Sequence, residues 1–150
     1  MMKAAKSIKG LAMVEFTIIL PILLFLLLSI LELGRAFFLY TELEKLSRDS
    51  TRYLINTIAT GSSGNYHLNQ IDIDNAKNLA VYGNINGGGD ARLPFLKTEQ
   101  VSVTLNGSHV QVEIIYPFQP VLNQLPNFFS GDAISLNFNM TSSYTMRMLL

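Results

Sequence analysis

The chain has no cysteine. Disulfides, thiolate metal sites and cysteine nucleophiles are therefore excluded, and so is a lipoprotein signal, which needs a cysteine to acylate. Tryptophan is also absent, so any aromatic belt at a membrane surface would fall to Phe37, Phe38 and Tyr40. Charge is scarce: eleven bases balance eleven acids over 150 residues, with no basic patch to meet a nucleic acid. Histidine occurs twice, at His67 and His109, too far apart to suggest zinc and without the companions of a nucleophilic triad. No catalytic residue, cofactor site or metal site is assigned, and the chain reads as a protein other than an enzyme. Gly87-Gly88-Gly89-Asp90 lacks the Lys-Ser/Thr of a phosphate-binding loop, and Asp72-Ile73-Asp74 opens like a calcium loop without its Gly and terminal Glu.

The chain does have a long apolar run, Leu11 to Leu31, broken by one carboxylate, Glu15. As a helix it would span about 31 Å, the thickness of a bilayer's hydrocarbon core. A chain of 150 residues holds too little protein to surround such a rod, so the run reads as a transmembrane helix. Lys3, Lys6 and Lys9 precede it without an acid, which keeps the N-terminus cytoplasmic and places the chain beyond Leu31 outside. A basic lead before an apolar run also describes a secretory signal peptide, but this run exceeds the usual 7–15-residue apolar core. The only small-residue cleavage candidate after it is Gly34-Arg35-Ala36.

The junction carries more. Lys9-Gly10 comes immediately before the apolar run and Glu15-Phe16 stands five residues on, in the order of a type IV prepilin-like leader and helix. Gly10-Leu11-Ala12-Met13-Val14-Glu15-Phe16, then Leu20-Pro21, then Ile30-Leu31-Glu32-Leu33-Gly34-Arg35 resembles the TadE-like pseudopilins of tight-adherence (Flp-type) pili. Ser47-Arg48-Asp49-Ser50-Thr51-Arg52-Tyr53 is similar to that family's next block, and the C-terminal Ser143 to Arg147 to its ending. The resemblance implies cleavage between Gly10 and Leu11 by a membrane aspartyl prepilin peptidase, and an assembly role for Glu15, Phe16 and Pro21. It also implies a set of partners: other pilins or pseudopilins, the inner-membrane assembly platform and the lipid bilayer. Removal of residues 1–10 would take three lysines, leaving eight bases against eleven acids, a net charge of −3.

Past the membrane, Leu39, Leu43, Leu46, Tyr53, Leu54 and Ile58 recur at helical spacing and form one apolar stripe. Glu44 and Arg48 stand in the favourable i,i+4 order. Pro21 is expected to kink this long helix or melt one turn, and Thr60 to Asn65 to end it. A short helix is expected over 74–82, capped by Asp72 or Asp74 and closed by Gly83; residues 84–94 read as a mobile loop. From Gln100 the period becomes two. Val101, Val103 and Leu105 pair through an Asn106-Gly107 type I′ turn with Val110, Val112 and Ile114. Pro117 and Pro120 are expected to stop that strand. After a loop over 123–132, Ile134, Leu136, Phe138 and Met140 begin a third strand.

The expectation is an α+β fold: a long N-terminal helix, transmembrane and then amphipathic, packed on a small antiparallel sheet of about three strands. The organisation expected is a basic leader (1–10), a transmembrane helix (11–35), an amphipathic extension (36–60) and an extracytoplasmic domain (61–150). The function implied by the resemblance is that of a minor pilin or pseudopilin, single-pass in the bacterial inner membrane with its domain periplasmic or carried into a pilus. The alternatives are a bitopic inner-membrane scaffold that never enters a filament, and a secreted binding domain behind an ordinary signal peptide.

Overall fold

The computed structural model describes residues 5–61, 68–121, 124–125 and 134–148. It divides the chain into two compact units, Met1–Ala36 and Phe37–Leu150. Helix α1, Ala5–Gly61, contributes to both and is 57 residues long. It ends at Gly61, inside the stretch expected to end it, and differs from expectation in two places: it begins inside the basic lead rather than at Leu11, and it runs through Pro21 without a melted turn. Most of the connector expected after it, residues 62–67, lies outside the described residues.

In the second unit the stripe on α1 meets a sheet. Leu39, Leu43, Leu46, Leu54 and Ile58 are buried, while Tyr53 is half-buried and accepts a hydrogen bond from Asn75 Nδ2 at 3.3 Å. Three small polar residues on the same face, Ser47, Ser50 and Thr51, are also fully buried. Their size lets the helix backbone approach the sheet. The Glu44–Arg48 pair is replaced: Arg48 lies over the Tyr144 ring at 5.2 Å, and the ion pair on this stretch joins Glu42 and Lys45 at 3.9 Å.

The sheet has three antiparallel strands in the order β1-β2-β5: β1 Val101–Asn106, β2 His109–Phe118 and β5 Phe138–Arg147. Register sets rows of side chains on the helix-facing side: Leu105–Val110–Met146, Val103–Val112–Tyr144, Val101–Ile114–Ser142 and Tyr116–Met140. The β2 members of these rows are all buried. On the other side alternate Ser102, Thr104, Gln111, Glu113, Asn139, Thr141, Ser143 and Thr145, the polar face that an antiparallel sheet turns to solvent.

The hairpin turn lies one residue later than its strongest dipeptide suggests. Asn106 pairs with His109, so the two loop residues are Gly107 and Ser108. Gly107 has φ +59° and Ser108 does not share a positive φ, the pattern of a type II′ turn rather than type I′. In this register half-buried Leu105 lies opposite buried Val110 on the helix-facing side.

Pro117 does not stop β2; it pairs in register with Asn139. The Met148 N–H donates to the Ser108 carbonyl at 2.8 Å, extending the β2–β5 ladder. Counting in twos from this bond, even-numbered β2 residues bond to β5 and odd-numbered ones face β1. β1 reaches only as far as Ile114, so the missing N–H of Pro117 points where no strand needs it.

The expected third strand starts at Phe138 rather than Ile134. Ile134–Ser135 forms β4, which pairs in a separate two-residue ladder with β3, Gln124–Leu125, a strand in the stretch expected to be loop. Helix α2, Gln70–Tyr82, starts four residues before the expected 74–82. Its N-cap is Asn69, without a side-chain bond, and Asp72 sits in the first turn. Gly83 closes it as expected, at φ +75° with its N–H on the Leu79 carbonyl. Residues 84–94, expected to be a mobile loop, are a hydrogen-bonded turn. Asn78 Nδ2 donates to the Ile85 carbonyl, Asn84 Nδ2 to that of Gly88 and the Arg92 N–H to that of Val81. Leu93 and Leu96 are buried, and Tyr116 Oη donates to the Pro94 carbonyl at 3.0 Å.

Candidate functional site

The N-terminal unit holds the residues singled out for processing and assembly. Gly10 and Leu11 lie in successive positions of α1, and Leu11 is 74% exposed. A Cβ added at Gly10 would meet nothing within 4 Å. Because the helix starts at Ala5, the Gly10–Leu11 bond is helical, and a protease must unwind it to reach the carbonyl. Glycine disfavours the helix by roughly 1 kcal/mol relative to alanine, so the lead unwinds most readily there.

Downstream, the apolar side chains of residues 11–38 are almost all exposed, Phe25 and Ala36 only partly. One 18-residue window within Gly10–Ile58 is apolar enough to cross a membrane, and none of it is buried. Its hydroxyls are satisfied locally. Thr17 Oγ1 donates to the Met13 carbonyl at 2.8 Å and Ser29 Oγ to that of Phe25 at 2.9 Å. At the exit, Glu32 and Arg35 form an i,i+3 ion pair.

Glu15 is different. It is exposed and has no hydrogen-bond or ion-pair partner among the described residues. At 100° per residue Glu15 shares a face with Leu11, Ile18, Ile22, Leu26 and Ser29, while Phe16 and Pro21 project from other sides. The structure thus brings Glu15 together with Leu11 and separates it from Phe16 and Pro21.

The second unit has two cavities among its described residues. One cavity of about 500 Å³ is lined by Pro117, Phe118, Gln119, Asn137, Phe138 and Asn139, and another of about 250 Å³ by Asp74, Lys77, Asn78, Thr98 and Glu99. Among the described residues no cluster of three or more His, Asp or Glu could hold a metal ion. His109 is exposed on β2, and His67 lies outside the described residues.

Sequence reading missed the role of the serine-rich block after the membrane exit. Ser47 Oγ lies 3.0 Å from Ser142 Oγ, and Thr51 Oγ1 bonds both the Ser47 carbonyl at 2.7 Å and the Tyr144 carbonyl at 3.3 Å. Ser50 Oγ is buried without a partner among the described residues. The signal was present as small residues at 47, 50 and 51 in phase with Leu43 and Leu54.

Residues 10–52 of the chain match the family described as TadE-like protein, the family indicated by the Gly10-to-Tyr53 motifs. The match covers the exposed helix, Glu15 and the buried serine block, and points to involvement in tight-adherence pilus assembly. Neither the curated proteins nor the solved structures contain a match to this chain.

Proposed function

We propose that the chain is a minor pilin or pseudopilin of a tight-adherence pilus, and a substrate of a prepilin peptidase rather than a catalyst. The observation that carries the reading is Glu15: an unpartnered carboxylate on an exposed apolar helix, five residues after Gly10, inside the TadE-like segment. A carboxylate at mid-membrane costs about 2.5–3.5 kcal/mol, and less toward the surface. Such a residue calls for a partner from another molecule. In this reading the lysines hold the N-terminus in the cytoplasm, the second unit is periplasmic, and the peptidase cuts between Gly10 and Leu11. Cleavage leaves an α-amino group on Leu11. In a helical array of subunits that cation reaches Glu15 of a neighbour, and the ion pair offsets the desolvation of both. Phe16 and Pro21, on other faces of the helix, contact lipid or other pilins during assembly.

The test reads mass and incorporation together. Intact-mass measurement should show residues 1–10 removed from wild type and retained in Gly10→Val, whose branched side chain crowds the scissile bond. Glu15→Leu should insert and be cut, yet be absent from sheared filaments and from the assembly complex. Equal cleavage of Gly10→Val refutes the processing site; normal incorporation of Glu15→Leu refutes the pairing.

A further inference from the structure

Among the described residues one besides glycine has a positive φ: Phe95, at +65°. It stands third in the turn Leu93–Leu96, which the Leu96 N–H closes onto the Leu93 carbonyl at 3.2 Å. Proline stands second, as a type II turn prefers, and the third place is the one such a turn gives to glycine or asparagine. A bulky residue there is strained, and strain of this kind collects where a side chain meets a ligand. Core packing does not account for it. Leu93 and Leu96 are buried on either side and Tyr116 Oη holds the Pro94 carbonyl, yet Phe95 is 63% exposed. The fold fixes this turn and presents its aromatic ring outward.

The strand register locates the turn. Ser47 meets Ser142 and Thr51 meets Tyr144, so β5 runs alongside α1 in the same sense, and so does β1, which is antiparallel to β2. Val101 opens β1 in the row of Ile114 and Ser142, level with Ser47. The chain leading into Val101, and Tyr116 in the row beyond, therefore lie toward the Phe37 end of the second unit. That end also shows Phe37, Phe38 and Tyr40, all exposed. Past the Ser47–Ser142 level no described residue of α1 or of the three strands exposes a large hydrophobic side chain. The charges nearest Phe95 in sequence are Arg92 and Lys97, both exposed, with Asp90 and Glu99 farther out. An aromatic ring between cations suits the boundary between acyl chains and phosphate headgroups.

We propose that the Phe95 turn docks on the lipid surface at which residues 11–35 enter the bilayer, extending the belt of Phe37, Phe38 and Tyr40 from the helix to the domain beside it. The proposal rests on the membrane reading of that apolar run.

The chain lacks tryptophan, so a single substituted one reports alone. Full-length Leu24→Trp, Phe95→Trp and Thr104→Trp are each reconstituted in phosphatidylcholine–phosphatidylglycerol vesicles, with and without bromine on the acyl chains. Leu24→Trp should be quenched by the bromine. Phe95→Trp should be quenched at least ~3-fold more than Thr104→Trp, which lies on the polar face of β1. Phe95→Asn, a residue at home at positive φ, should leave the urea midpoint of the second unit in detergent no lower than wild type. Quenching of Leu24→Trp without excess quenching of Phe95→Trp overturns the docking alone. No quenching of Leu24→Trp overturns the membrane reading and the docking with it. A blue-shifted Phe95→Trp that lipid bromine does not quench assigns the ring to a protein surface, a second copy included, and overturns the proposal. A lowered midpoint for Phe95→Asn makes the ring part of its own fold and overturns it as well.

Discussion

One helix, α1, lives under two different rules. Over residues 11–38 its large apolar side chains point outward on every side, and its few hydroxyls bond the preceding turn. From Leu39 to Ile58 the apolar residues narrow to one stripe, and polar residues at 47, 50 and 51 are buried while Glu44, Arg48 and Arg52 face out. Helix propensity is similar in the two stretches; the difference is the medium each side chain is built to meet. An all-round apolar helix suits lipid, whereas a striped one suits a sheet on one side and water on the other.

The comparison breaks first if a leucine in each stretch behaves alike. Leu54 is fully buried, and Leu54→Ala should destabilise the second unit by about 2–5 kcal/mol, the usual cost of a core cavity. Leu24→Ala, on an exposed position, should leave that stability unchanged. Urea titration of the full chain in detergent, followed through tyrosine near-ultraviolet dichroism, reads both, and equal losses would erase the distinction.

A smaller effect sharpens the account of the buried hydroxyls. Ser47→Ala leaves Ser142 Oγ buried without its partner and should cost about 1–3 kcal/mol. Ser142→Ala added to it should recover part of that loss, because the orphaned hydroxyl is gone. Strict additivity in the double-mutant cycle would mean that the two serines do not interact.

The smallest effect tests the outer flank of the stripe. Arg48 over Tyr144 is exposed, so Arg48→Ala should cost about 0.5–1 kcal/mol. Glu44→Ala, at the position expected from spacing to pair with Arg48, should change stability less than that. The reverse order would restore the i,i+4 ion pair.

Hydrophobic spacing made most of this fold legible. Leu39, Leu43, Leu46, Leu54 and Ile58 announced the covering face, and the alternation from Val101 to Ile114 announced the hairpin. Where the reading slipped, a longer-range contact outvoted a local rule. The turn centre fell on Gly107-Ser108, with Asn106 paired to His109. Pro117 kept its place in β2 because β1 stops short of it. Ser47, Ser50 and Thr51 look like solvent-facing residues until the sheet that buries them is known, since the contact selects size and not polarity. The candidate site was legible differently: Gly10 and Glu15 declare themselves by order and spacing, and no described residue of the chain answers Glu15.

The contact between Ser47 and Ser142 spans 95 residues of sequence, and that between Thr51 and Tyr144 spans 93. A ribosome finishes the striped stretch of α1 long before it makes β5. Until then Leu43 and Leu54 have a hairpin to rest on but no third strand to seal it. Contacts of such high sequence separation form late and slow folding, because a long loop must close before they contribute. The nascent protein thus passes through an interval in which its most adhesive surface is complete and its cover is not. Any factor that shields an apolar helix face during synthesis would act in that interval, and a chain stalled short of β5 would be held there.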